Sequence, residues 1–306
     1  MVKLRIVFMG TPEFAVSSLQ KLVESNCEVV AVVTAPDKPA GRGLQMLPSP
    51  VKKYALSQGI PVLQPEKLKS LDFLNVLRSY KADLQVVVAF RMLPEVVWNM
   101  PPKGTFNLHA SLLPQYRGAA PINWAIINGE TQTGVTTFFI EHEIDTGKII
   151  FQETELIFPD DNVGTLYERL MHKGADLVVK TVKAVEKGDY PQTPQQQTQI
   201  LKAAPKIFKE TCEINWQLPA GEVHNFVRGL SPYPAAWTIL NGKMCKIFKT
   251  VVISQEIPLT DRPYQTDNKT YLYFKTATGW LAVEELQLEG KKRMTIEEFL
   301  RGNKLV

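Results

Sequence analysis

The chain has 306 residues, of which 44% are hydrophobic and 22% charged, and its formal net charge is +4. That length exceeds the usual size of one hydrophobic core, so we expect two domains. The cysteines Cys27, Cys212 and Cys245 are far apart and form no CxxC pair. This spacing argues against a structural zinc site or a disulfide framework and favours a reducing compartment.

The sequence contains no segment that we interpret as a membrane or export signal. No apolar run approaches the roughly 18 residues needed to cross a bilayer. The N-terminal stretch MVKLRIVFMG has a basic start and an apolar centre, but it leads into a turn and a helix without a small-residue cleavage site. We therefore interpret it as a first strand and expect a cytoplasmic protein with no membrane partner.

The first 150 residues alternate strand and helix signals, which is typical of a parallel α/β sheet. The predicted strands are LRIVFMG, EVVAVVTA, IPVLQ, DLQVVVAF and GTFNLHA. Helices are predicted to begin near Pro12, Pro50, Glu66 and Pro94, and Thr11 is the expected cap of the first. Two further strands, VTTFFIE and KIIFQETELIF, precede a long amphipathic helix over residues 162–187.

The last third of the chain has a different pattern. A stretch rich in Pro and Gln has no periodicity and reads as a linker. Short β-like runs follow, and turn signals such as Asn241-Gly242 separate them, which predicts a small antiparallel barrel. The predicted domains are therefore 1–188 and 208–306, joined by a linker over 189–207. Residues 206–306 hold 14 Lys and Arg against 11 Asp and Glu, a bias that permits nucleic-acid binding.

Polar side chains gather where ligands bind in open α/β sheets, beyond the carboxyl ends of the strands. Asn107 and His109 end the fifth strand and alternate by two, so their side chains leave the same face. Asp145 follows the next strand beside Gly147. Because no serine or cysteine nucleophile accompanies them, the three groups indicate direct transfer onto an external nucleophile. A structural histidine and a turn aspartate remain open alternatives at this point.

Two cofactor hypotheses are disfavoured by spacing. The stretch HEIDTG, which includes His142, matches no established zinc pattern such as HExxH, so we expect no metal. The segment after the first strand lacks GxGxxG, which disfavours a nicotinamide enzyme.

A long Gly- and Pro-rich loop, residues 36–49, carries Arg42 between two glycines. Arg42 has the reach to bind a phosphate or a base edge, and a mobile surface loop is the alternative.

A family resemblance joins these motifs. FMGTPEFAV, PDKPAGRG, NLHASLLPQYRGAAPINWAI, DTG and HNFVRGLSPYPAAW, in that order, resemble the methionyl-tRNA formyltransferase family. The resemblance spans nearly the whole chain and includes KIFKETCEINW near its second domain. It implies a Rossmann-like, mostly parallel sheet domain followed by a small OB-like β-barrel. It also implies transfer of the formyl group of 10-formyltetrahydrofolate to methionyl initiator tRNA, for translation initiation.

The resemblance assigns roles to residues of this chain. Asn107, His109 and Asp145 are the implied catalytic residues, and Arg42 would approach the acceptor end of the tRNA. The implied folate contacts are Ser111, Leu112, Leu113 and Pro114. No metal is implied, and we expect a monomer.

The chain departs from the family in the loop around Arg42. Residues 44–47 are Leu, Gln, Met and Leu, where members often carry lysines. Lys52, Lys53 and the basic run 291–293 are candidates to compensate for that loss, although a charge run is usually a solvated face.

Three other functions compete with this interpretation. An N-formyltransferase of an amino sugar-nucleotide would use the same Asn, His and Asp groups but would not need a basic barrel. A formyl-folate hydrolase would use water as the acceptor. A non-enzymatic RNA-binding protein would rely on the barrel alone, and intact polar groups at the strand ends disfavour it.

Overall fold

The structure is a computed structural model that describes residues 3–40, 45–196, 200–255, 257 and 261–305. Contacts divide the chain into two compact units. The first comprises Met1–Arg117, Gly134–Glu155 and Glu168–Lys202. The second comprises Gly118–Thr133, Leu156–Tyr167 and Ala203–Val306. The domain boundaries at residues 188 and 207 stay a prediction.

The elements up to residue 187 follow the predicted alternation of strand and helix. In chain order they are β1 (Arg5–Gly10), α1 (Glu13–Glu24), β2 (Glu28–Val33), β3 (Lys38–Ala40), β4 (Gln45–Leu47), α2 (Pro50–Ser57), β5 (Val62–Leu63), α3 (Leu71–Ser79), β6 (Leu84–Val88), α4 (Glu95–Trp98), β7 (Thr105–His109), β8 (Arg117–Gly118), α5 (Pro121–Ile127), β9 (Gln132–Phe139), β10 (Ile149–Leu156) and α6 (Val163–Lys187).

The first unit is built on a seven-stranded sheet with the order β10-β9-β7-β6-β1-β2-β5. Four neighbouring pairs in this order are parallel: β7 with β6, β6 with β1, β1 with β2, and β2 with β5. Strand β7 pairs with β9 antiparallel. Apolar side chains fill both faces of β1 and β6, because a parallel sheet is covered on both sides. The prediction of a Rossmann-like, mostly parallel α/β domain is confirmed. Its functional edge is the one where β1, β6 and β7 end.

One predicted helix cap and one predicted helix start are wrong. Thr11 does not cap α1: the helix begins at Glu13, and Pro12 precedes it without a side-chain cap. The helix expected near Glu66 begins at Leu71. The backbone carbonyls of Pro65 and Glu66 accept hydrogen bonds from the Arg91 guanidinium instead of entering a helix. The helix near Pro94 exists as a single turn.

The remaining elements belong to the second half of the prediction. In chain order they are β11 (Ala203–Ala204), a 3₁₀ turn at Glu210–Cys212, α7 (Ala220–Leu230), β12 (Ala236–Leu240), β13 (Lys243–Ile253), β14 (Tyr264–Thr266), β15 (Leu272–Thr276), β16 (Gly279–Leu288), β17 (Met294–Thr295) and α8 (Ile296–Gly302).

The second unit contains an antiparallel sheet with the order β12-β13-β16-β15-β14, and β17 pairs with β16. Asn241 and Gly242 form the predicted turn between β12 and β13, and both have positive φ. The register of β13 on β16 shifts on either side of Lys249, and such bulges bend a long strand. The predicted antiparallel, barrel-like second domain is confirmed.

Helix α7 connects two parts of this unit. One of its faces packs on the antiparallel sheet through Val223, Val227 and Leu230, which are at most 1% exposed. Helix α5 packs against another part of α7, where a Cβ added at Gly229 would lie 2.6 Å from Ile127. Asn123 fixes this approach by donating its side-chain amide to the Gly229 carbonyl at 2.8 Å. Residues 118–133 therefore share a core with the C-terminal part of the chain.

Candidate active site

Strand β7 carries the first two predicted site residues into the middle of the sheet. Asn107 pairs with Val87 of β6 on one side and with Phe138 of β9 on the other. This pairing engages its backbone, while its partly exposed side chain makes no hydrogen bond within the described part of the chain. The amide of Asn107 is thus held on a rigid strand and left available to a ligand.

His109 ends β7 and is bonded through one ring nitrogen. Its Nε2 lies 2.8 Å from the backbone carbonyl oxygen of Tyr116. Since a carbonyl oxygen only accepts, this bond requires a proton on Nε2. The other ring nitrogen, Nδ1, lies 4.0 Å from Oδ2 of Asp145, and the two side chains are only 7% and 15% exposed. The structure therefore brings His109 and Asp145 face to face.

The loop at residues 143–148, here called the Asp145 loop, has a tightly determined backbone. Asp145 has φ of 56°, in the left-handed region that an L-residue adopts only at a cost. Gly147 leaves no space for a side chain, because an added Cβ would lie 1.7 Å from the Phe139 carbonyl oxygen. The glycine of the DTG motif is therefore required by a close approach of two backbones.

A residue missed by the sequence prediction supports this loop from behind. The side-chain amide of Gln195 donates to the backbone carbonyls of Asp145 and Gly147, both at 2.9 Å. Its oxygen accepts from Nε and Nη2 of Arg117 at 3.1 and 2.6 Å. Gln195 lies in the Pro- and Gln-rich stretch that the sequence analysis interprets as a linker. Nothing in the sequence of that stretch distinguishes Gln195 from the neighbouring glutamines.

The stretch Ser111–Pro114 forms a rigid turn rather than an open row of side chains. Ser111 is fully buried and donates its hydroxyl to the Gln115 carbonyl at 2.6 Å. The Ser111 carbonyl in turn accepts from the hydroxyl of Thr136 at 2.6 Å. Leu113 is 3% exposed, which leaves the side chains of Leu112 and Pro114 partly exposed. A ligand at this turn would meet those two side chains.

The described residues of the loop at 36–49 include a two-stranded ladder of β3 and β4. Arg42 lies outside the described residues, so its proposed tRNA contact stays a prediction. Met46 and Leu47 on β4 are 57% and 49% exposed. Lys52 is engaged nearby: its ammonium group bonds Asp37 at 2.6 Å, and this hydrogen bond lowers the pKa of Asp37. Lys52 is therefore not a free cation of this loop.

The basic run at 291–293 also contains a cation that is engaged in an ion pair, together with two exposed lysines. Arg293 forms an ion pair with Glu285, and its guanidinium lies 4.5 Å from the centre of the Phe248 ring. Lys291 and Lys292 are exposed. The two lysines are the members of this run whose charge faces solvent.

No cluster of three or more His, Cys, Asp or Glu residues suited to a metal ion occurs among the residues that the structure describes. His142 from the HEIDTG stretch lies 3.5 Å from Glu95 and packs edge-on against Trp98.

The described helices include none that combines the length and apolarity needed to span a bilayer.

Comparison with known proteins identifies both halves of the chain. The family described as "Formyl transferase" matches residues 4–182, and "Formyl transferase, C-terminal domain" matches residues 206–304. A methionyl-tRNA formyltransferase of Bacteroides fragilis is 55% identical over 98% of this chain and 95% of its own length. One from Parabacteroides distasonis is 56% identical over 99% and 97%.

Solved structures share the fold at low sequence identity. HypX from Aquifex aeolicus, in complex with tetrahydrofolic acid, matches with a TM-score of 0.67 and 19% identity, over all of this chain and 49% of its own. This chain thus spans about half the length of that protein. The sugar 3N-formyl transferase WlaRD, crystallised in the presence of dTDP and 5-N-formyl-THF, matches with a TM-score of 0.68 and 21% identity. That match covers 95% of this chain and 100% of the other.

Proposed function

This chain belongs to the formyl transferase family, and from that premise we propose that it transfers the formyl group of 10-formyltetrahydrofolate to the amino group of methionyl initiator tRNA. One observation carries the proposal: the 55% identity to a methionyl-tRNA formyltransferase over 98% of this chain. That extent includes the antiparallel C-terminal domain, which formyl chemistry alone does not require. Solved relatives of the fold that hold tetrahydrofolic acid or 5-N-formyl-THF support a folate donor.

The acceptor amine needs little activation. A free α-amino group has a pKa of roughly 7.7 to 8.0, and the adjacent ester of an aminoacyl-tRNA lowers it further. A large fraction of the amine is therefore neutral at physiological pH and attacks the formyl carbon directly. This explains why the candidate site has a carboxylate and an imidazole but needs no activated serine or cysteine.

The tetrahedral intermediate is the step that the protein must stabilise, because an oxyanion develops on the formyl oxygen. Asn107 is suited to donate to it, since its amide is fixed by β7 and makes no hydrogen bond within the described residues. A pre-organised donor of this kind accelerates acyl transfer by about a hundred- to a thousandfold. The rigid strand matters because the donor is already aimed before the charge appears.

His109 and Asp145 are suited to move protons. The attacking nitrogen becomes cationic and must lose a proton, while the folate nitrogen must gain one before the bond from carbon to nitrogen breaks. The Nε2–H bond to Tyr116 fixes the ring plane and turns Nδ1 towards the Asp145 carboxylate, 4.0 Å away. Catalytic hydrogen bonds are often long without substrate and shorten in the complex. One balanced route has the Asp145 carboxylate take the proton from the amine nitrogen and pass it to Nδ1 of His109, which would then donate it to the departing folate nitrogen.

The rival acceptors are less well supported. The sugar 3N-formyl transferase shares the fold but is only 21% identical to this chain. At that identity, a shared fold does not indicate that this chain acts on the same acceptor. A non-enzymatic RNA-binding protein would not need Asn107, His109 and Asp145 at one sheet edge. Initiator tRNA therefore remains the proposed partner, bound through the Arg42 loop and the basic C-terminal residues, with 10-formyltetrahydrofolate as donor and the protein acting as a monomer.

Mass analysis of the products tests the proposed function. The purified protein receives 10-formyltetrahydrofolate with methionyl-tRNA, with an amino sugar-nucleotide, or with no acceptor. We expect the mass of one formyl group to be added to methionyl-tRNA alone. A formylated sugar would replace the acceptor, and free formate without a labelled acceptor would make the protein a hydrolase.

A further inference from the structure

Gln195 makes contacts that a flexible linker residue would not make. Its amide group donates to two carbonyls of the Asp145 loop, and its oxygen accepts two hydrogen bonds from Arg117. Both donors and the acceptor of this side chain are therefore used. The neighbouring Gln196 is exposed, so the two adjacent glutamines have different roles.

The backbone before Gln195 is anchored to the same part of the sheet. Thr193 and Ile149 exchange two backbone hydrogen bonds, each 2.9 Å long, at the start of β10. This bridge sets Gln195 directly behind the Asp145 loop. On the opposite side, the close approach of Gly147 to Phe139 prevents the loop from moving towards β9. The loop is thus held from two sides, and Gln195 provides one of them.

We propose that Gln195, oriented by Arg117, is a positioning residue that fixes the Asp145 loop so that the Asp145 carboxylate faces His109. The left-handed backbone at Asp145 is unfavourable for an L-residue, and the surroundings must offset that cost. Two hydrogen bonds to the flanking carbonyls do this and also define where the carboxylate points. Gln195 itself contacts neither of the proposed reacting side chains, since it bonds only backbone oxygen atoms of the loop.

The inference rests on the proposed function, in which Asp145 takes part in proton transfer. It predicts a specific sensitivity. Gln195→Leu removes all four hydrogen bonds, whereas Gln195→Glu keeps an acceptor for Arg117 and loses the donors to the loop. If Gln195 served only to anchor Arg117, Gln195→Glu would be nearly normal. If it holds the loop, both variants lose activity.

A double-mutant cycle with Asp145→Asn tests this coupling. We expect Gln195→Leu to lower kcat about tenfold with little change in the KM for methionyl-tRNA, since misplacing a reacting group costs rate. In the Asp145→Asn background the same change should lower kcat less than about twofold, because the group it positions is already gone. Gln196→Leu is the matched control and should stay within about twofold of wild type.

Hydrogen exchange of the peptide over residues 143–148 provides a readout that needs no activity. Gln195→Leu and Gln195→Glu should raise its exchange rate at least about fivefold, and Gln196→Leu should not. Unchanged exchange, or an equal loss of kcat in both backgrounds, would overturn the inference and leave the proposed function standing. Normal turnover by Asp145→Asn would overturn the inference together with the proposed role of Asp145 in proton transfer, and would leave formyl transfer to methionyl-tRNA standing. If wild type formylated no methionyl-tRNA, the proposed function alone would fail, and exchange would still decide the role of Gln195.

Discussion

His109 in the first unit and His224 in the second are both hydrogen-bonded imidazoles, but different groups face them. His109 bonds a backbone carbonyl and turns Nδ1 towards the Asp145 carboxylate. His224 lies on α7, where its Nδ1 is 3.0 Å from the Thr250 hydroxyl. Burial, followed by the charge of Arg228, lowers the pKa of His224. A histidine beside a carboxylate is equipped to exchange protons, whereas one beside a cation is kept neutral as part of the packing.

Replacing each histidine by alanine should separate these roles most clearly. His109→Ala should lower turnover at least about a hundredfold while tRNA affinity stays nearly intact, because it removes a reacting group. His224→Ala should leave turnover within about twofold of wild type and lower the unfolding temperature. Steady-state kinetics and thermal unfolding of both variants provide the measurement. Near-normal turnover by His109→Ala would remove that residue from the mechanism.

A glycine with no space for a side chain occurs in each unit, and the pair extends the comparison from side chains to backbone. Gly147→Ala forces a Cβ against the Phe139 carbonyl and must displace the Asp145 loop, so turnover should fall more than about tenfold. Gly229→Ala meets the side chain of Ile127 in the α5–α7 contact. It should cost about 1–3 kcal/mol of stability and leave kcat nearly unchanged below the unfolding temperature.

The same kinetic and unfolding assays compare these two variants. The distinction between the regions would be lost if Gly229→Ala reduced kcat as strongly as Gly147→Ala did.

His224 should also make the stability of the protein depend on pH. Because its folded-state pKa lies below the usual 6.5, the unfolded state binds its proton first as the pH falls. The stability that neutral His224 contributes is fully present above about pH 6.5 and is lost as acid approaches the folded-state pKa. The unfolding temperature of wild type should therefore fall more steeply below pH 6.5 than that of His224→Gln. Parallel curves for the two proteins would assign the pH dependence to other groups.

The smallest expected effect concerns the exposed lysines of the second unit. Replacing Lys291 and Lys292 together by alanine should reduce the slope of log K against log salt for tRNA binding by about 1 to 2, if each contacts one phosphate. Arg293→Ala is a poorer test, since it also breaks contacts with Glu285 and Phe248. Deleting residues 208–306 would expose helix α5 as well. An unchanged slope would place the phosphate contacts elsewhere, with Arg42 as the next candidate.

Features that repeat along the chain were predictable from sequence. Buried strands such as β1 and β6 are near-continuous apolar runs, and Asn241-Gly242 marks a tight turn by its own backbone preference. Asn107 and His109 were identifiable because they lie at the end of a predicted strand and alternate by two, so that both side chains leave the same face. Helix starts were less accessible, as at Glu66, where the competing partner, Arg91, is 25 residues away.

The support of the site could not be predicted in the same way. Gln195 acts on a loop about 50 residues earlier in the chain, and its own stretch has no periodicity. The bond of His109 to the Tyr116 carbonyl depends on the left-handed backbone at Tyr116, which the sequence does not signal. Local pattern thus identifies groups capable of chemistry, whereas the contacts that aim them are non-local.

The most direct test of the account is a single-turnover measurement on Asn107→Ala. Because the Asn107 side chain makes no hydrogen bond within the described residues, its removal should leave the fold intact. With enzyme in excess over methionyl-tRNA and 10-formyltetrahydrofolate saturating, we expect the formylation rate to fall at least about a hundredfold while the Kd for tRNA is unchanged. A rate close to that of wild type would contradict the account, because the amide would then have no part in stabilising the transferred formyl group.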